Sequence, residues 1–134
     1  MTRSVQILAF DEMEVLDYAG PYEVFNVAGE LGGGAFSVTS VGVTELPVGR
    51  GGFGVRPTYQ LADAPRADIV VIPGGRGTRP LAADNDVLTW VRERAATAEL
   101  VLTVCTGRSS RAQRVCLMVC LPPLITRPGL SWRR

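Results

Sequence analysis

Short apolar runs alternate with helix-like segments along the first hundred residues of the chain. Four of these runs are rich in β-branched residues and have the length of buried strands: Val5–Phe10, Ala35–Val43, Ala67–Ile72 and Leu100–Cys105. Between them, two stretches carry apolar residues at helical spacing, one beginning near Pro21 and the other near Asp84. Strands that alternate with helices predict an α/β fold with a doubly wound, mostly parallel sheet.

Glycine, proline and aspartate set the predicted limits of the helices. Pro21 suits the first turn of a helix, so we expect Gly20 and Pro21 to turn the chain into the first helix. The second helix is predicted to be capped by Asp84, and its apolar face consists of Val87, Trp90, Val91 and Ala95. The segment 45–66 is rich in glycine and proline and predicts an edge ribbon or a loop over the sheet.

Composition narrows the class of protein. A chain of 134 residues with 46% hydrophobic and 20% charged residues is typical of one soluble domain. No apolar run approaches the ~18–20 residues of a membrane span, and no secretory signal is apparent, so we expect a cytoplasmic protein without membrane contact. The absence of histidine excludes a histidine-based triad or metal site. The three cysteines lack zinc-type spacing and predict reduced thiols.

The charge of the chain divides near residue 107. Residues 1–107 contain 8 arginines and 13 acids, a net charge of −5, whereas residues 108–134 contain 6 arginines and no acid. The hydrophobic periodicity stops at the same place, and prolines interrupt every later candidate element. We therefore expect residues 1–107 to be the N-terminal part of an α/β domain that is truncated in its C-terminal half. Residues 108–134 are predicted to be a disordered, non-native tail.

A shift of reading frame near codon 107 explains such a tail. Standard codons for residues 117–126 permit a second reading, from the third base of each codon, as Asp-Gly-Leu-Pro-Ala-Thr-Thr-His. With the segment before it, this reading has the helix, turn, strand and histidine that an α/β domain needs next. The alternative that stays open is an authentic basic arm, although we expect no direct nucleic-acid binding by this segment.

Cys105 is the strongest candidate for a catalytic residue. It ends the last apolar run, and open α/β sheets place their chemistry at the carboxyl ends of their strands. A tight turn after the strand would expose the thiol and aim backbone N–H groups at charge developing beside it. The alternative is that Cys105 is only a small, buried hydrophobic residue.

Three motifs in the chain together resemble a known superfamily. They are Val15–Phe25, Ile72–Gly75 and Val104–Gly107, which contain LDYAGPYE, IPGG and VCTG respectively. Their order and spacing are similar to those of the ThiJ/PfpI (DJ-one-like) superfamily, whose fold is class I glutamine-amidotransferase-like and flavodoxin-like. The resemblance covers residues 4–107, about the first half of a family domain. Within the superfamily, the chain looks most like the isonitrile hydratases and the ligand-binding domains of AraC-type regulators.

The resemblance implies roles for particular residues. Cys105 would be the nucleophile, and Asp17 would hydrogen-bond to it and relay protons. Glu23 is the second candidate for this carboxylate, and the alternative is that it is only a solvated acid on the first helix or one that supports the site without touching the substrate. Without the resemblance, Asp17 reads as an N-cap or turn aspartate ahead of Gly20.

The same resemblance implies an oxyanion site and a reaction. The backbone N–H groups of Thr106 and of Gly74 or Gly75 would hold the developing charge, since glycine lets the backbone approach a ligand closely. The substrate would be a small molecule such as an isonitrile, the intact protein would be a homodimer, and no metal or organic cofactor is implied. The alternative is the ligand-sensing domain of an AraC-type regulator. We expect the 134-residue chain itself to be an inactive fragment.

Overall fold

The computed structural model describes residues 1–104, and all the strands of its central five-stranded sheet are parallel. Two further strands, β3 and β4, pair with each other as a short antiparallel hairpin. The strands are, in chain order, β1 (Arg3–Ala9), β2 (Phe36–Gly42), β3 (Val48–Gly49), β4 (Phe53–Gly54), β5 (Tyr59–Gln60), β6 (Ile69–Ile72) and β7 (Leu100–Thr103). The predicted mostly parallel α/β sheet is confirmed, and the predicted edge ribbon in segment 45–66 corresponds to the β3–β4 hairpin.

Three helices accompany the sheet: α1 (Val15–Leu31), α2 (Thr78–Leu81) and α3 (Asn85–Thr97). The predicted start of the first helix was wrong, because α1 already begins at Val15 and includes Pro21 in its interior. A proline there removes the N–H that would bond to the carbonyl of Asp17, but the turns on either side continue the helix. Burial of Tyr18 against the core outweighs the local preference of Gly-Pro for a turn.

The α3 prediction is confirmed in its cap and its buried face. The Asp84 carboxylate accepts hydrogen bonds from the backbone N–H groups of Asp86, at 2.9 Å, and Val87, at 3.1 Å. Both N–H groups would otherwise lack an intrahelical partner, which is why aspartate is favoured at this position. Val87, Trp90 and Val91 are buried, so the predicted apolar face is the one that packs on the core.

The core lies on both sides of β1 and β6. Their fully buried side chains come from adjacent positions rather than alternate ones: Val5, Gln6, Ile7, Leu8, Val70 and Val71. A strand that is covered on both faces has a nearly continuous apolar sequence. This pattern predicted both strands, although Gln6 interrupts it in β1. β5 has only two residues and α2 only four, too few to give a periodic pattern.

The order of the strands in the sheet is β5-β2-β1-β6-β7. From β1 the chain passes through α1 to β2 on one side, whereas β6 lies on the other side of β1 and leads through α3 to β7. Right-handed crossovers therefore place α1 and α3 on opposite faces of the sheet, which makes it doubly wound. The order reverses between β1 and β6, and the crevice at the carboxyl ends of two such strands is where open α/β sheets bind ligands.

Candidate functional site

Two loops meet at this reversal point. Residues 11–14 join β1 to α1, and residues 73–77 join β6 to α2. The Glu14 N–H donates to the carbonyl oxygen of Gly74 at 2.9 Å, and the Gly77 N–H donates to that of Glu12 at 3.3 Å. Met13 and Gly75 form an antiparallel bridge between these two hydrogen bonds. The two loops therefore form one backbone-paired unit.

Glycine is required at two positions of the second loop. Gly75 has a φ of 128°, and a Cβ there would lie 2.5 Å from the Glu12 carbonyl oxygen and 2.6 Å from the Glu14 nitrogen. A Cβ on Gly77 would collide with the carbonyl oxygen of Asp11 and with the Phe10 ring. The close approach of the two loops thus depends on the missing side chains.

Asp17 is brought to this loop by the first turn of α1. Its Oδ2 accepts a hydrogen bond from the Gly74 N–H at 3.3 Å, across 57 positions of sequence. This is slightly longer than the usual range for an N–H···O bond, so a small shift of either loop would break it. Two of the residues predicted for the site, Asp17 and Gly74, are therefore in contact.

The hydrogen bond to Asp17 distinguishes the two glycine N–H groups. The Gly74 N–H is already engaged by a carboxylate. The Gly75 N–H donates to no acceptor among residues 1–104. In its bridge with Met13, the hydrogen bonds are made by neighbouring residues, from the Glu14 N–H to Gly74 and from the Gly77 N–H to Glu12. Of the two glycines, Gly75 has the N–H group that is left for a ligand.

β7 leads the chain to the same edge of the sheet. Thr103 is paired in register with Ile72, and the Val104 N–H donates to the Ile72 carbonyl oxygen at 3.0 Å. Ile72 precedes Gly74 by two residues, and Val104 immediately precedes Cys105. The predicted nucleophile Cys105 and the predicted oxyanion donor Thr106 lie outside the described residues.

Glu23 is not brought to the Asp17–Gly74 pair. It follows Asp17 by six residues, roughly 9 Å along the helix axis and about 120° around it. The residue is exposed, and its carboxylate has no hydrogen bond or ion pair with the described residues. Its supporting role stays a prediction.

Tyr18, the neighbour of Asp17, was not singled out from the sequence. Its side chain is buried, stacks on Tyr22 with 5.9 Å between ring centroids, and interacts with the hydroxyl of Ser40. Burial raises the pKa of the Tyr18 phenol, opposed by the Ser40 hydrogen bond and reinforced by Tyr22. Tyr18 therefore anchors the first turn of α1 to the core. An aromatic residue next to Asp17 was the sequence feature that could have indicated this anchor.

Charged residues around the first loop were also missed. Glu14 forms an ion pair with Arg50 of the hairpin at 3.2 Å, and the carboxylate of Asp11 accepts a hydrogen bond from the Val48 N–H at 2.8 Å.

Within residues 1–104, no three His, Cys, Asp or Glu side chains are grouped so that they could hold a metal ion. None of the helices in this part of the chain combines the length and hydrophobicity that crossing a membrane requires.

Comparison with known proteins decides the family. The model of the DJ-1/PfpI family matches residues 3–117, most of the chain. The chain belongs to the DJ-1/PfpI family. The resemblance found in the sequence is confirmed by this match.

Isonitrile hydratase of Pseudomonas putida is 33% identical to this chain over 108 residues. Those residues are 80% of this chain but only 45% of the hydratase, so the chain spans less than half of that relative's length.

Solved structures confirm the fold. A ThiJ/PfpI family protein from Pseudomonas syringae superposes with a TM-score of 0.71 at 24% identity, covering 80% of this chain and 43% of that one. DJ-1beta of Drosophila melanogaster gives a TM-score of 0.70 at 21% identity, covering 89% and 61% respectively. At these identities the likeness concerns the DJ-1/PfpI fold alone.

Proposed function

We propose that this DJ-1/PfpI protein is a cysteine-dependent hydratase of small isonitriles, with Cys105 as the nucleophile and Asp17 as the proton-transfer residue. The observation that carries the proposal is the hydrogen bond from the Gly74 N–H to Asp17. This bond brings a carboxylate to the carboxyl edge of the sheet, where β7 leads the chain toward Cys105. The 33% identity to an isonitrile hydratase supports the choice of reaction.

The reaction adds water to an isonitrile and gives an N-substituted formamide. Asp17 would take the proton of the Cys105 thiol, and the thiolate would attack the terminal carbon and form a C–S bond. Asp17 would return that proton to the same carbon, which gives a thioimidate. Asp17 would then take a proton from water as it adds to the same carbon. Asp17 would return the water proton to the nitrogen. The C–S bond would then break as the hydroxyl becomes the carbonyl group, and the hydroxyl proton would pass to the leaving Cys105 sulfur, which releases the formamide and restores the thiol.

The loop of residues 73–77, which contains Gly74 and Gly75, would stabilise charge that develops during these steps. Because the Gly74 N–H donates to Asp17, we assign that group to orienting the carboxylate. The Gly75 N–H, together with that of Thr106, would form the oxyanion hole. Fixed backbone donors suit this role because they need not reorganise during the reaction.

The intact protein would act on its small-molecule substrate as a cytoplasmic homodimer without a metal or organic cofactor. Support for a dimer comes from α1, which exposes four large apolar side chains along one stripe: Leu16, Val24, Val27 and Leu31. An exposed apolar stripe of this kind is typical of a surface that packs against a second chain or against another part of the same domain. We further propose that the segment after Gly107 is read in a shifted frame and that the 134-residue chain itself is therefore inactive.

The test is an isonitrile hydration assay on the full-length protein, expressed from the gene with its frame restored near codon 107. Formation of the N-substituted formamide from a small alkyl isonitrile is followed by mass spectrometry. Cys105→Ser should abolish turnover, and Asp17→Asn should lower kcat by at least about 10²-fold, the usual contribution of a general acid or base.

Asp63→Asn serves as the matched control, because Asp63 is an exposed acid on the turn before β6 and not one of the predicted site residues, and it should leave kcat unchanged. Full turnover by Cys105→Ser would exclude the nucleophile role. Saturable binding of a small molecule without turnover, together with a helix-turn-helix pattern in the downstream translation, would favour the regulator instead.

A further inference from the structure

The loop that precedes Asp17 is held from both sides. On one side it pairs with the Gly74–Gly77 loop, as described above. On the other side it pairs with the β3–β4 hairpin: the Glu12 N–H donates to the Val48 carbonyl oxygen at 2.9 Å, and the Arg50 N–H donates to that of Met13, also at 2.9 Å. The loop is therefore the middle strand-like segment of a three-part arrangement.

Two side chains strengthen the hairpin side of this arrangement. The carboxylate of Asp11 accepts a hydrogen bond from the Val48 N–H at 2.8 Å, and the guanidinium of Arg50 lies 3.2 Å from the carboxylate of Glu14. The Asp11 bond is the shorter, and its acceptor is charged, which makes it the stronger kind of hydrogen bond. The ion pair is more than two-fifths exposed on both sides and contributes less.

The backbone of the loop needs such support. Glu12 has a φ of 59°, which is the left-handed region that residues with a Cβ rarely adopt. Both of its backbone groups are used, the N–H toward Val48 and the carbonyl toward Gly77. A conformation of this kind persists only where the surrounding structure fixes it, so the hairpin and the glycine loop hold Glu12 jointly.

Helix α1 starts directly after this loop, and its first turn carries Asp17. The 3.3 Å hydrogen bond from the Gly74 N–H joins Asp17 to the same glycine loop that pairs with Glu12 and Glu14. A displacement of the hairpin would therefore move the start of α1 relative to Gly74.

We propose that the β3–β4 hairpin sets the geometry of the Asp17–Gly74 pair, with Asp11 and Arg50 as positioning residues. The contact itself does not require the hydratase activity. Only the catalytic consequence of this positioning rests on the proposed function. In that function, proton transfer would depend on the orientation of the Asp17 carboxylate and hence on the hairpin.

The test measures amide hydrogen exchange by mass spectrometry with fragmentation to single residues, in the 134-residue chain at a concentration where light scattering shows a monomer, so that it does not depend on turnover. Asp11→Ala should accelerate exchange of the Gly74 and Glu14 amides by about tenfold or more, since a hydrogen bond to a charged acceptor is lost. Asp11→Asn keeps an acceptor oxygen and should change these rates by less than about twofold. Arg50→Gln should have a smaller effect than Asp11→Ala in the same direction.

Exchange at Ile7 and Val71, in the paired β1 and β6, reports on the whole sheet and should not change in any variant. Asp63→Ala, at an exposed acid, should change neither set of amides. The proposal is overturned if the Gly74 amide is unaffected by both Asp11→Ala and Arg50→Gln, or if it is accelerated only as much as Ile7 and Val71. Should Asp11→Ala not fold, Arg50→Gln decides by the same comparison.

Discussion

At the scale of single residues, Asp68 joins the amino ends of β1 and β6. Its Oδ2 accepts hydrogen bonds from the backbone N–H of Ser4, at 2.7 Å, and from the Ser4 hydroxyl, at 2.8 Å. The backbone N–H of Asp68 donates in turn to the Ser4 carbonyl oxygen at 3.1 Å. These hydrogen bonds from the backbone and the hydroxyl of Ser4 stabilise the carboxylate and lower the pKa of Asp68.

Asp68→Asn should therefore remove a contribution to stability that depends on pH. The folded-state pKa lies below the unfolded value of about 3.9, so the contribution is fully present above the unfolded value and lost as pH falls through the folded-state pKa. In urea denaturation, the loss of unfolding free energy on substitution should be largest near neutral pH and should shrink below about pH 4. Asp63→Asn is the control, and a loss that stays constant down to acid pH would contradict the prediction.

The direct contact between Asp17 and Gly74 was not predicted from the sequence: the family resemblance placed both residues at the site, with Asp17 bonded to Cys105 and the N–H of Gly74 or Gly75 in the oxyanion hole. The two residues are 57 positions apart, and neither hydrophobic periodicity nor turn chemistry relates such distant positions. Neither the family resemblance nor a sequence pattern indicated the contacts of Asp11 and Arg50. Arg50 lies in a glycine-rich segment without periodicity, so the path that brings it to the first loop could not be read in advance.

At the scale of elements, α1 shows where local sequence signals fail. Gly-Pro is a strong local turn signal, yet α1 runs through Gly20 and Pro21 from Val15. The helix forms because it packs on β1 and β2, with Tyr18 buried and Phe25 packed edge-on against Phe36. Tertiary packing of this kind outweighs propensity, whereas α3, whose cap and apolar face agree with each other, was predicted correctly.

This account of α1 makes Gly20 a site for a stabilising substitution. A Cβ at Gly20 would meet no atom within 4 Å. Gly20→Ala should therefore raise the free energy of unfolding by roughly 0.5–1 kcal/mol, the usual difference between the two residues inside a helix. If Gly20 instead formed a turn, the same change would destabilise the protein. Gly77→Ala, which forces a Cβ onto the Asp11 carbonyl oxygen, is the contrasting variant and should cost about 1–3 kcal/mol or more in urea denaturation.

At the scale of the whole molecule, the α/β class followed from the sequence because β1 and β6 are buried on both faces and have nearly continuous apolar sequences, interrupted within the buried part of β1 only by Gln6. The strand order could not be read in the same way. The position of β6 next to β1, rather than next to β5, depends on pairing between segments more than sixty residues apart. This order also creates the reversal point where the candidate site lies, and its residues were predicted from the family resemblance and from the position of Cys105 at a strand end rather than from composition.

The last prediction concerns residues 108–134. They carry six arginines and no acid after a region with a net charge of −5, and they follow β7, which is an edge strand among the described residues and leaves Leu100 45% exposed. An apolar edge strand needs further chain to cover it, because open edges promote aggregation. We therefore expect resequencing of the gene across codon 107 to reveal a shift of frame, with the restored frame reading Asp-Gly-Leu-Pro-Ala-Thr-Thr-His across codons 117–126. The protein with its frame restored should remain monodisperse in light scattering at concentrations where the 134-residue chain aggregates. An unbroken frame in the DNA, with a 134-residue chain that is as soluble as its corrected counterpart, would refute the frameshift.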